Sequence, residues 1–220
     1  MKHLKFTGAL VTAGLIALAA VPMASNAAVI VSASTSLGNQ AYDGVGFAFH
    51  VNSTITVTQL GVFDSGADGI AGTAQLWATL FNATNGNVLA AMDFTQSSAG
   101  TLSNFFLYKQ IGPITLAVGD YILAGYGWDA NNFEFNNVHA GVNTTTFDPG
   151  GSGLVSFIDT RYGGGNDSHT VLPGNVYGPQ AFDAVNMVFD AGSAVPEPNA
   201  LALAAIALLG VGMVRRQRKH

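Results

Sequence analysis

The fold class predicted by the sequence is mainly β: a single antiparallel β-sandwich, jelly-roll or immunoglobulin-like, flanked by an N-terminal signal helix and a short C-terminal transmembrane helix. Three observations predict it. Apolar residues of the central region alternate with period two, turn-forming residues separate the alternating runs, and a long apolar stretch stands near each end of the chain. No central stretch joins a 3.6-residue period to helix caps, so packed sheets are the expected way to bury the apolar faces.

Residues 1–27 read as a secretory signal peptide. Lys2 and Lys5 supply the charged start, Ala9 to Val21 the apolar core, and Ser25-Asn26-Ala27 a small-x-small site with cleavage expected after Ala27. Export through the Sec translocon follows from that reading. Residues 28–193 are then one domain-sized ectodomain, large enough to bury a substantial core.

The alternation appears first at Val29 to Ser34 and most clearly at Val45, Phe47, Phe49 and Val51, which interleave with Gly46, Ala48 and His50. In Ile55 to Phe63 the parity slips: Ile55 and Val57 give way to Leu60 and Val62, which predicts a bulge or a strand covered on both sides. Thr73 to Phe81 and Val88 to Phe94 follow, joined through Asn85-Gly86-Asn87, a turn sequence suited to left-handed backbone. Phe105 to Ile111 and Tyr121 to Trp128 are the next pair, with Ala117-Val118-Gly119-Asp120 turning the chain between them. Leu154 to Arg161 and Phe182 to Phe189 complete nine expected strands. Asp129 to Gly153 and Gly163 to Pro179 read as long loops, serving either as binding loops or as surface excursions.

Charge and cysteine content exclude several functions. Within residues 28–194 only Lys109 and Arg161 oppose twelve acids, which leaves ten net negative charges. Such a surface repels phosphate backbones, so nucleic acid is not an expected partner. The chain has no cysteine, which removes thiol catalysis and disulfide staples and leaves stability to packing.

The tail begins at Ala194, after the small residues of Ala191-Gly192-Ser193. Val195-Pro196-Glu197-Pro198 cannot enter regular helix or sheet without losing backbone donors, so it is an extended, accessible knuckle. An apolar run from Ala200 to Val214 follows, then the basic cluster from Arg215 and Arg216 to His220. The run is shorter than the roughly 20 residues that span a bilayer. Snorkelling arginines and local thinning would make up the difference. The basic cluster would stay in the cytoplasm, leaving Pro196 to Pro198 on the far side. An uncut membrane anchor and a buried core helix are the alternative readings.

This arrangement resembles the PEP-CTERM sorting signal of Gram-negative bacteria that make exopolysaccharide. The resemblance implies recognition and processing by an exosortase, a membrane-embedded transpeptidase-like enzyme. With the signal peptide it points to an inner-membrane intermediate and final residence at the cell surface or in the extracellular matrix, where a structural or adhesive role is the expected one. Leu60-Gly61-Val62-Phe63-Asp64, Asp68-Gly69 and Leu76-Trp77, with Leu116 to Ile122, are similar to a module found in ectodomains of that family. That second likeness implies a domain type and no activity.

Two sets of ectodomain residues are candidates for binding. Tyr126, Trp128 and Phe133 beside Asp129 and Glu134 combine aromatic faces with carboxylates, the combination that binds sugar rings, and make extracellular polysaccharide a candidate partner. Simple core alternation explains the same residues. Asp64 and Asp68, spaced by Gly66 and Gly69, offer oxygen ligands for a structural Ca²⁺, the one cofactor considered, although the spacing is not that of an EF-hand and a plain glycine turn also accounts for it. His50, His139 and His169 are far apart in sequence and follow no metal or nucleophile motif, so no catalytic residue is expected. A glycan-active enzyme would need a cleft with opposed carboxylates.

Overall fold

The structure, a computed structural model, describes residues 27–33, 37–129, 134–136, 145–163, 169–178, 182 and 184–191. The signal helix, the 200–214 span and the sorting motif at 195–216 lie outside them. Among the described residues there is no helix, and therefore none long and apolar enough to cross a membrane.

Among the described residues thirteen strands run in chain order: β1 (Ala28–Val29), β2 (Val31–Ala33), β3 (Val45–Val51), β4 (Ile55–Phe63), β5 (Gln75–Asn82), β6 (Val88–Thr95), β7 (Thr101–Ser103), β8 (Phe106–Leu116), β9 (Gly119–Tyr126), β10 (Thr145–Phe147), β11 (Val155–Tyr162), β12 (Asn175–Tyr177) and β13 (Val185–Ala191). They form a six-stranded sheet ordered β12-β11-β3-β9-β5-β6, a five-stranded sheet ordered β1-β13-β4-β8-β7, and the two-stranded pair β10-β2. Every pairing is antiparallel.

The two large sheets share one core. Phe47, Phe49, Leu76, Leu80 and Leu123 of the six-stranded sheet join Ile55, Val57, Leu60, Val62, Met187 and Phe189 of the other in a single buried cluster. Burial of this kind stabilises by about 25 cal/mol per Å² of apolar surface, and in a chain without disulfides it is the main favourable term. A smaller cluster of Ala48, Phe81, Ile122, Ala124 and Tyr126 lies on the opposite face of the six-stranded sheet, with Trp77 and Leu172 packed against it.

The parity slip in β4 is a bulge. Against β13, Val57 and Gln59 face the adjacent Phe189 and Val188, so one extra residue of β4 turns Leu60 and Val62 back toward the core; the pairing with β8 shifts at the same place, with the extra residues on β8. The strand is also covered on both sides, since Leu60 to Phe63 are all buried. Several boundaries differ from the sequence expectation. β8 continues past Ile111 to Leu116; its pairing with β4 skips from Gln110 to Ile114, so Pro113 sits in an irregularity where no ladder donor is required. β9 ends at Tyr126 rather than Trp128. The two segments expected as long loops each hold a short strand, β10 and β12, and β7 and the break between β1 and β2 complete the rise from nine strands to thirteen.

Candidate functional site

Three segments of chain, at Phe105, 37–43 and 134–136, gather around the loop that follows β4. Asp64 leaves the sheet with its N–H donated to the Phe105 carbonyl. Its own carbonyl accepts from Ala67, and its Oδ2 accepts from Gly69 at 3.0 Å. Gly66, Ala67 and Gly69 all have positive φ, 96°, 57° and 92°, which is how so short a loop folds back onto one carboxylate. Ile70 then points into the core.

A second carboxylate reaches the same loop from far along the chain. Glu134 Oε1 accepts the N–H of Ala71 at 2.6 Å. Two residues later, Asn136 bonds the segment before β3, donating its backbone N–H to Gln40 and its Nδ2 to the Tyr42 carbonyl. That segment closes the ring, since the N–H of Gly38 donates to Ser65 Oγ at 2.9 Å. Segments 37–43, 64–71 and 134–136 are thus tied to one another by side-chain-to-backbone bonds.

The electrostatics of this end are unusual for so acidic a chain. Asp64 is 0 % exposed and Glu134 2 %. Burial pushes the Glu134 carboxyl up to about 6; the Ala71 N–H opposes the rise, and the charges of Asp64 and Asp68 add to it. Burial raises Asp64 as well, against the Gly69 N–H, with Asp68 adding to the rise. Asp64 Oδ1 is buried with no hydrogen-bond partner. Among the described residues no three His, Asp or Glu side chains are grouped so as to hold a metal ion by themselves.

The structure separates the residues expected to bind sugar. Tyr126 and Trp128 do not form an open platform, because the strand stops between them. Gly127 has φ of 94°, donates to Asp43 Oδ1 at 2.6 Å, and leaves no room for a Cβ against the Gln75 carbonyl. That turn sends the two rings to different places. Tyr126, 2 % exposed, lies in the outer cluster with its hydroxyl donated to the Val171 carbonyl at 2.6 Å. Trp128, 3 % exposed, lies in the shared core, where its indole covers Gly125 and meets Val185. Neither ring has a face free for stacking. Asp129 is half-buried, Glu134 is committed to Ala71, and Phe133 is outside the described residues.

The histidines are used locally. His50 and Asp120 are cross-strand neighbours with Nδ1 and Oδ1 2.5 Å apart. His169 lies flat on Trp77, the ring centroids 3.7 Å apart and the planes 3° from parallel. His139 is outside the described residues. A shallow cleft of about 440 Å³ opens where β6 parts from β8, lined by Gln59, Met92, Thr101, Tyr108, Lys109 and Gln110 among others. Lys109 does not point freely into it: its Nζ donates to the Asp93 carbonyl and stands 5.0 Å above the Phe94 ring.

Sequence reasoning named Glu134 and Asp64 for different tasks and missed that they serve one loop. Sixty-three positions separate Glu134 from Ala71, and no local pattern announces such a contact.

Comparison with known families finds the PEP-CTERM protein-sorting motif at residues 194–219. No curated protein and no solved structure matches the chain. The motif coincides with the Pro196-Glu197-Pro198 triplet, apolar run and basic cluster of the tail, and a signal of this kind implies export, exosortase processing and sorting to the cell surface by way of the membrane. By this C-terminal signal the chain is a PEP-CTERM protein.

Proposed function

We propose that residues 28–193 form a non-enzymatic β-sandwich ectodomain delivered by Sec, held by the 200–214 span, and left at the cell surface or in the extracellular matrix after cutting near Pro196 to Pro198. Its work there is structural or adhesive. The observation that carries this reading is the sorting motif at 194–219 standing behind a β-layered, cysteine-free ectodomain. Mass spectrometry of the mature protein tests it, in cells with and without the processing enzyme. The expected product lacks Arg215 and Arg216 only where the enzyme is present; an intact tail in both backgrounds would reduce the protein to a tethered one.

A second reading, binding of extracellular polysaccharide, is favoured by a different set of rings from those first considered. At the β11-β12 edge Tyr177 is 60 % and Tyr162 41 % exposed, set edge to face at 6.4 Å, with Phe182 beside Tyr177 at 6.2 Å. Exposed aromatic faces at a sheet edge suit the apolar side of a sugar ring. Retention on immobilised exopolysaccharide tests the idea. Equal retention of the native protein and the Tyr162→Ala, Tyr177→Ala double variant would remove it.

A further inference from the structure

Two buried carboxylates converge on one three-residue piece of backbone, and nothing in the sorting function uses them. Asp64 Oδ2 holds the N–H of Gly69, and Glu134 Oε1 holds the N–H of Ala71. These donors are two residues apart in a tight loop, so the two carboxylates are neighbours although seventy positions separate them in the chain. Each uses one oxygen for the backbone. The other oxygen of Asp64, Oδ1, is buried in the same loop without a partner. A third acid, Asp68, stands on the exposed side of the loop, its Oδ1 beside Gly66.

Buried carboxylates require compensation by a cation, a proton or further hydrogen bonds. Lysine and arginine do not supply it. The ectodomain has only Lys109 and Arg161; the first is bound to the Asp93 carbonyl over Phe94, the second to Asp159 through Nε at 2.5 Å and NH2 at 3.0 Å.

We propose that Asp64 and Glu134 are the two fixed ligands of a divalent cation, Ca²⁺, bound where the loop after β4 meets the 134–136 segment. Asp68 closes the site from the solvent side, and backbone carbonyls and water complete the six to eight oxygens that calcium takes. All donors here are oxygen, which selects a hard ion over zinc or copper. An irregular loop built on positive-φ residues tolerates the loose geometry of Ca²⁺ better than the strict octahedron of Mg²⁺. In the geometry described, Asp68 is not yet gathered with the other two; the ion draws it in and so cross-links two segments that otherwise meet through single hydrogen bonds. An exported protein meets calcium at concentrations where sites with affinities of about 10⁻⁴–10⁻³ M fill.

The test uses the full-length chain in detergent, with calorimetric titration of CaCl₂ and thermal melts in millimolar CaCl₂ or in EGTA. The expected results are saturable binding of one ion and a melting temperature several degrees higher in calcium, with a much smaller response to MgCl₂. Asp64→Asn and Glu134→Gln are each expected to abolish the calcium-dependent rise. If either fails to fold, Asp68→Asn, an exposed change, is expected to weaken binding several-fold without unfolding the chain. Identical melts in calcium and EGTA with no titration heat would overturn the site and leave the two carboxyls holding a proton. Undiminished calcium binding by the three variants would overturn it equally.

Discussion

The side-chain amide of Asn186 brackets the backbone of Val31, donating Nδ2–H to its carbonyl at 2.8 Å and accepting its N–H on Oδ1 at 3.3 Å. The bracket stands where the first strand changes partners: β1 pairs with β13, while β2, one residue later, pairs with β10. A side chain of β13 thereby does for Val31 what a neighbouring strand would otherwise do, and all of it is buried.

Asn186→Ala would strip both partners from Val31 at once and leave two buried backbone groups unsatisfied. Each such loss costs about 1–3 kcal/mol, so the variant is expected to lose about 2–4 kcal/mol in urea unfolding. Asn186→Leu, similar in size but equally unable to bond, should be no better. A variant within about 0.5 kcal/mol of the native chain would show that water replaces the amide.

Glu134 predicts an unusual dependence on pH in chelator. Its folded value of about 6 lies above the ordinary 4.5, so between these values the folded chain binds more protons than the unfolded one. Stability from this group is therefore full below about pH 4.5 and is lost as pH rises through about 6, and the raised Asp64 acts in the same sense. The unfolding free energy from urea titrations in EGTA should fall from about pH 4 to about pH 7.5, by on the order of 2 kcal/mol for Glu134 alone. Glu134→Gln keeps an acceptor for Ala71 and should flatten the profile. An unchanged slope in that variant would place the pH dependence elsewhere.

Trp128 is expected to be a stability residue first. Trp128→Ala empties a buried indole site between the sheets and should cost about 3–5 kcal/mol. Gly125→Ala should also destabilise, because the added methyl meets the Trp128 ring and Val185. Combining Gly125→Ala with Trp128→Leu should cost less than the sum of the two single changes, since the smaller residue makes room for the methyl. Strict additivity in thermal melts would contradict this packing.

Tyr162 and Tyr177 predict the opposite outcome. Both are exposed at a sheet edge, so Tyr177→Ala should change stability by no more than about 0.5 kcal/mol, while retention of the protein on cells or matrix falls if this edge makes the contact. A large loss of stability would mean that the ring supports Phe182 and the β11-β12 pair.

How much of this was legible in the chain depends on distance along it. The β4 bulge was readable because Val57 and Leu60 carry opposite parity within four residues. Strand ends are less so: the alternation beginning at Phe105 runs out at Ile111, whereas β8 resumes its pairing at Ile114 once the irregularity has absorbed Pro113. Tyr126 and Trp128 share a parity, but parity holds only while φ stays extended, and Gly127 ends it.

The sorting tail belongs wholly to the sequence. Its Pro196-Glu197-Pro198 triplet, short apolar run and cationic end follow one another in the sequence, so no fold is needed to bring them together. The period-two pattern likewise announced sheets, because each residue's face follows from its immediate neighbours. Only the tertiary structure could decide that Glu134 holds Ala71, that Asn186 holds Val31, or that Tyr126 and Trp128 end on opposite sides of one sheet. Those pairings depend on how whole sheets stack and where loops return, and the free energy that selects them is summed over the entire core rather than stored in any stretch of residues.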